Sequence, residues 1–166
     1  LKASGDRSKI GALVSSSAVV MYDAATNLFG TSRTTPSSVT GISLDQTGST
    51  LFLTTSQRGY VLDAAFNVSG TITHNTGSRG AIHKDGLIGY RAIASRVDTI
   101  DLRTFLVTGQ LPLGDTVPTS QSNYAGYMDV SADGRLVAVV TERGISIVRT
   151  AVVFTDDTLI RGVTPI

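Results

Sequence analysis

The stretch VTGISLDQTGSTLFLTTSQRGYVLD, residues 39–63, decides the reading of this chain. It holds three short apolar runs, residues 39–44, 51–53 and 60–62, separated by the turn Asp45-Gln46-Thr47-Gly48 and the polar link Ser56-Gln57-Arg58-Gly59. Short β-branched and aromatic runs punctuated by Gly, Asp and Ser are the pattern of antiparallel strands joined by hairpins. Residues 68–73 follow with Val68, Gly70 and Ile72 alternating with polar neighbours, the pattern of a half-exposed outer strand. The first three runs are apolar on consecutive positions, which predicts strands covered on both faces.

The unit recurs on two independent marks. Gly41, Gly80, Gly126 and Gly162 open its first run at intervals of 39, 46 and 36 residues. Tyr22-Asp23, Leu62-Asp63, Ile100-Asp101 and, degenerately, Val148-Arg149 close its third run at intervals of 40, 38 and 48 residues. Both marks stretch at the same place. A shared period of roughly 40 with one shared insertion is the signature of a four-stranded repeat.

Outward from the unit, the chain divides into a polar stretch, 1–9, read as a linker, and repeats over 10–166 with approximate bounds 10–38, 39–79, 80–124 and 125–160. In the first repeat, strands are expected over 10–14 and 18–22, with another at 28–31. The third carries strands near 87–94, 97–102 and 106–111 and ends in a long connection, 114–124, of the length that functional loops have. The fourth has strands over 127–130, 136–140, 145–148 and 152–155. Residues 161–166 resemble the opening of a further unit, so they either close a small four-bladed ring beside residues 10–14 or begin a new blade. No segment shows helical periodicity, so the fold class is all-β.

Composition narrows the function classes. The 166 residues carry net charge +1 and 16% charged residues, too little field to draw in nucleic acid or an anionic membrane. No apolar run approaches the ~20 residues that span a bilayer. There is no Cys, which removes thiol chemistry, thiolate metal sites and disulfides together. Lysine occurs only at Lys2, Lys9 and Lys84 among abundant Ser, Thr and Gly, a bias that points to an extracytoplasmic setting. The Leu-Lys-Ala start without a signal-like core suggests a mature or excised piece.

Three segments carry a family resemblance. Gly48-Ser49-Thr50-Leu51-Phe52-Leu53-Thr54-Thr55 is similar to the turn-and-strand core of the bacterial YVTN repeat, and residues 133–141 match that core again. Tyr22-Asp23-Ala24-Ala25-Thr26-Asn27 resembles the strand end of the same repeat. The third unit departs from it at His83-Lys84-Asp85-Gly86-Leu87-Ile88-Gly89-Tyr90, where an irregular second strand is expected. The resemblance covers most of residues 10–155 and implies β-propeller blades standing radially about a channel. Such repeats serve surface-layer proteins, periplasmic binding partners and lactonase-like hydrolases.

In that arrangement the links between second and third strands share one end with the connections between blades. Arg58, Arg96 and Arg143 occupy equivalent links, Arg33 and Arg79 the connections, and Glu142 lies beside them. A ring of guanidinium groups would hold a carboxylate, phosphate or sulfate in forked hydrogen bonds; arginines at hairpin tips also simply keep them wet. Asp129 is the best carboxylate for a channel site, and Tyr124 and Tyr127 flank the long loop where they could stack on a sugar or a partner side chain. His74 and His83 have no partners at metal-ligand spacing, and His83 reads as a partly buried, hydrogen-bonded core residue. No catalytic residue, metal site or cofactor motif is recognised. The expected function is a non-catalytic scaffold or binding module for a protein or glycan, with missing blades or another chain completing the ring. The alternative is a lactonase-like hydrolase with a channel metal.

Overall fold

A computed structural model describes residues 1–35, 38–55, 57–73, 79–118 and 127–150. Every regular element among them is a strand, and no helix is long and apolar enough to cross a membrane. The strands form four antiparallel sheets in chain order. The first sheet holds β1 (Lys2–Ala3), β2 (Lys9–Ser15), β3 (Ala18–Asp23) and the short β4 (Leu28–Phe29) and β5 (Arg33–Thr34), both of which pair with β3. The second is β6 (Val39–Leu44), β7 (Thr50–Thr55), β8 (Arg58–Asp63) and β9 (Val68–Thr73). The third is β10 (Arg79–Ile82), β11 (Ile88–Ile93), β12 (Arg96–Asp101) and β13 (Leu106–Pro112). The fourth is β14 (Met128–Val130), β15 (Leu136–Thr141) and β16 (Gly144–Arg149). The expected strand at 152–155, the tail 161–166, and Gly126, Tyr124 and His74 lie outside the described residues.

Both sequence marks have a structural cause. Asp23, Asp63 and Asp101 end the third strands, and each carboxylate accepts the N–H two residues on, from Ala25, Ala65 and Arg103, at 2.8–2.9 Å. Such Asx turns reverse the chain into the fourth strand. Gly80 opens a first strand because a Cβ there would stand 2.4 Å from Thr54 Cγ2 of the neighbouring sheet. The repeat extends to defects: β9 and β13 each bulge at the equivalent register, opposite Val61/Leu62 and Thr99/Ile100.

Three core clusters lie between successive sheets. Val19 and Met21 pack on Ile42, Leu44, Leu51, Leu53, Tyr60 and Leu62. Phe52, Val61 and Ile72 pack on Ile82, Ile100 and Leu102. Tyr90, Ala92 and Val97 pack on Met128, Val137 and Val139. The second and third sheets are thus covered on both faces, which is why β7 and β8 read as unbroken apolar runs, whereas the fourth strands β9 and β13 are largely exposed. Burying one side chain such as Phe52 contributes roughly 1.5–3 kcal/mol. First strands lie side by side, β1 by β6, β6 by β10 and β10 by β14.

The structure corrects two expectations. Residues 1–9 are not a linker: β1 pairs with β2, and a turn follows in which Ser4 N–H donates to the Lys9 carbonyl, as Asp45 does to Thr50, His83 to Ile88 and Ser131 to Leu136. The first sheet therefore has its own first strand. Its turn went unseen because Arg7, at φ 61°, stands where Gly48, Gly86 and Gly134 take φ of 70–75°. Secondly, the strand expected to be irregular, β11, pairs residue for residue with β12 from Ile88↔Asp101 to Ile93↔Arg96.

Candidate functional site

The first strands converge at two ends, and each end has a polar cluster. At the turn end, a cavity of about 320 Å³ is bounded by Lys2, Ser43, Gln46, Lys84, Asp129 and Ser131 among others. Backbone bonds tie its rim together: Gly5 and Asp6 donate to the carbonyls of Asp45 and Gln46, and Gln46 donates to that of Lys84. Ser43 Oγ accepts the Ile82 N–H at 3.0 Å, joining the second sheet to the third. Lys2 Nζ meets Asp129 Oδ2 at 2.7 Å, a bond from the first sheet to the fourth. Asp129, the carboxylate expected at a channel site, thus lines the cavity and is taken up by a lysine.

The link end holds the arginines. Arg79, only 6% exposed, lies over the Tyr127 ring at 5.0 Å, a cation–π contact. Burial lowers the Arg79 pKa, and the nearby Tyr127 partly offsets this. Arg58 opens β8 and is exposed, and Arg96 opens β12. Arg143 precedes β16 and reaches the long connection, where its Nε contacts Asp115 Oδ1 at 3.2 Å and its Nη2 donates to the Gly114 carbonyl. Glu142 is exposed beside it and anchors the same connection through its N–H on the Thr116 carbonyl. Arg33 lies in β5, on the outer rim of the first sheet. The structure brings Arg79 to Tyr127 and Arg143 to the long connection; Asp129 sits apart, toward the other end.

Sequence reading passed over the most buried charges. Arg91 and Asp98 face each other across β11 and β12, 5% and 1% exposed, with Arg91 Nη2 2.5 Å from Asp98 Oδ2. Arg96 Nε meets the other oxygen, Oδ1, at 2.8 Å. The signal was the spacing: Arg96, Asp98 and Ile100 alternate onto the face that packs on the second sheet. His83 is fully buried, its Nδ1 beside the N–H and carboxylate of Asp85, in line with a structural histidine. Tyr90, fully buried between the third and fourth sheets, has its hydroxyl pKa pushed up to about 12 by that burial. Among the described residues no group of three or more His, Asp or Glu gathers as a metal site would require.

Two half-buried carboxylates set an acid limit. The Arg103 side chain and then its N–H hold Asp101 down to about 2, and the N–H groups of Thr116 and Arg143 do the same for Asp115. Both folded values lie below the ordinary 3.8, so the stability they add is complete above about pH 4 and is lost as pH falls toward 2. A plot of urea midpoint against pH is expected to fall over that window and to flatten in the double variant D101N/D115N. An equally steep fall in the variant would assign the acid limit to other groups.

No protein-family model and no curated protein matches the sequence. Among solved structures, the chain is similar to the hydrazine synthase of Kuenenia stuttgartiensis, with a TM-score of 0.62 at 17% identity over 89% of this chain. The match spans 44% of that longer chain, so this chain covers less than half its length. At that identity the likeness concerns the fold alone.

Proposed function

We propose that the chain forms blades of a β-propeller of the kind YVTN-type repeats build, acting outside the cytoplasm as a non-catalytic module that binds a protein or glycan through its link-end loops. The observation that carries the reading is one antiparallel sheet repeated in chain order, packed face on face with first strands adjacent. Radial blades about a channel pack in that way. The binding half rests on the link end. There Arg143 fastens the start of the long connection through Asp115 while its own side chain stays 78% exposed, and Arg58 is exposed at the equivalent link of the second sheet. A guanidinium already oriented by one carboxylate presents its outer N–H groups to a second anion. The hydrolase alternative depends on Asp129, whose carboxylate is engaged by Lys2.

The test is an array of carboxylated and sulfated glycans. Wild type should bind a subset, Arg58→Glu should weaken that binding about tenfold, and Arg143→Lys should weaken it without loss of fold, because lysine keeps the charge and loses the fork. Exposed charges contribute only ~0–1 kcal/mol to folding, so melting temperatures should barely move. Binding indifferent to both substitutions would remove the link end from the proposal.

A further inference from the structure

All four first strands contribute to the wall of the turn-end cavity, β1 through Lys2, β6 through Ser43, β10 through Ile82 and β14 through Asp129. Its volume of about 320 Å³ lies at the lower end of those that hold small molecules. Four charged side chains border it, and three of them are committed. Asp129 takes Lys2 on one oxygen and the Val130 N–H, at 3.0 Å, on the other. Asp45 accepts the N–H and the hydroxyl of Ser49 at 2.9 and 2.7 Å. The fourth, Lys84, is exposed, and its ammonium meets no acceptor among the described residues.

The uncharged polar lining adds donors. Ser43, only 6% exposed, accepts the Ile82 N–H at 3.0 Å, which leaves its own hydroxyl hydrogen without an acceptor among the described residues. The Gln46 carboxamide lies against Gly5 and likewise donates to no described group. Ser131, by contrast, is satisfied within its own turn by Asp133 and the Leu136 N–H. A surplus of donors around one uncommitted cation is the complement of a singly charged oxyanion. A doubly charged phosphate would leave one charge unmatched in a partly enclosed space. Leu44 and Ile82, both buried, supply an apolar wall for the C–H face of a ring. We infer that the turn-end cavity binds a small hydroxylated monocarboxylate of the uronic acid class, its carboxylate on Lys84 and its hydroxyls on Ser43, Gln46 and Asp129. The site is at the other end of the sheets from Arg58 and Arg143 and does not depend on what the link-end loops bind.

Titration of isotope-labelled protein with sodium glucuronate, followed by amide chemical shifts, tests it. Shifts are expected at Gly5, Gln46 and Ser131, with glucose and inorganic phosphate each binding about tenfold more weakly, the effect of one lost or unmatched charge contact. Lys84→Met should weaken glucuronate binding by the same factor, whereas Arg149→Gln, which removes an exposed charge from β16 outside the cavity, should leave it unchanged. Asp129→Asn should tighten binding severalfold, because it frees Lys2 for the ligand and removes a like charge. Opposite signs from two substitutions at exposed residues separate a binding effect from a loss of fold. Four results overturn the inference: no shift with glucuronate, shifts gathered at Asp115 and Arg143 instead, glucose or phosphate bound as tightly as glucuronate, or weaker binding in Asp129→Asn. The second would place the binding at the link end and leave the reading of those loops standing.

Discussion

Asp98→Ala is expected to destabilise the fold by about 3–5 kcal/mol, because it strands the Arg91 guanidinium in the interface between the second and third sheets. Arg91 is 5% exposed, and its Nε and Nη1 meet no acceptor among the described residues, so Asp98 is the group that compensates its charge. Arg96 shares the same carboxylate but is 44% exposed at its side chain and can turn to water. The loss should therefore come almost wholly from Arg91. Replacing both partners, Arg91→Met with Asp98→Val, should recover most of the stability, since apolar side chains need no counter-charge. Urea unfolding of the three proteins decides the matter: a single variant within about 1 kcal/mol of wild type would show that the pair is effectively solvated.

Gly134→Ala is expected to cost about 2–5 kcal/mol from two sources. The residue sits at φ +70°, where a side chain costs about 1–2 kcal/mol. Its Cβ would also stand 1.7 Å from Nε2 of His83, which is fully buried and has nowhere to retreat, an overpacking of about 1–3 kcal/mol. Gly114 separates the two, since it has the same φ of +70° and nothing within 4 Å of a Cβ. Gly114→Ala should show only the backbone part. Thermal unfolding of both variants, and of Gly134→Ala combined with His83→Ala, tests the division. Equal losses at the two glycines would deny any role to the His83 contact.

The repeat was legible because its marks are backbone necessities. An Asp turns the chain after the third strand in the first three sheets, and Gly41 and Gly80 make room for Thr54, so the spacing of such marks pointed to the units and the strand order. What escaped reading lacked those marks. The first turn has Arg7 in the position glycine takes elsewhere, and a two-residue strand, Lys2–Ala3, is too short to show alternation. The buried Arg91–Asp98 pair was missed for a different reason: each residue is polar in isolation, and only the register of β11 against β12 places them opposite one another inside a packed face. Among the arginines singled out by spacing, Arg96 and Arg143 do engage carboxylates, but those of Asp98 and Asp115 in this chain, which spacing alone could not reveal.

The turns at one end are joined from sheet to sheet by main-chain amides and carbonyls, Gly5 and Asp6 to Asp45 and Gln46, and Gln46 to Lys84. Every amino acid except proline brings the same amide and the same carbonyl, so these joints are indifferent to what the side chains become. Substitutions at these turns can therefore change the letters and leave the seams between sheets in place, which makes the fold tolerant of sequence change.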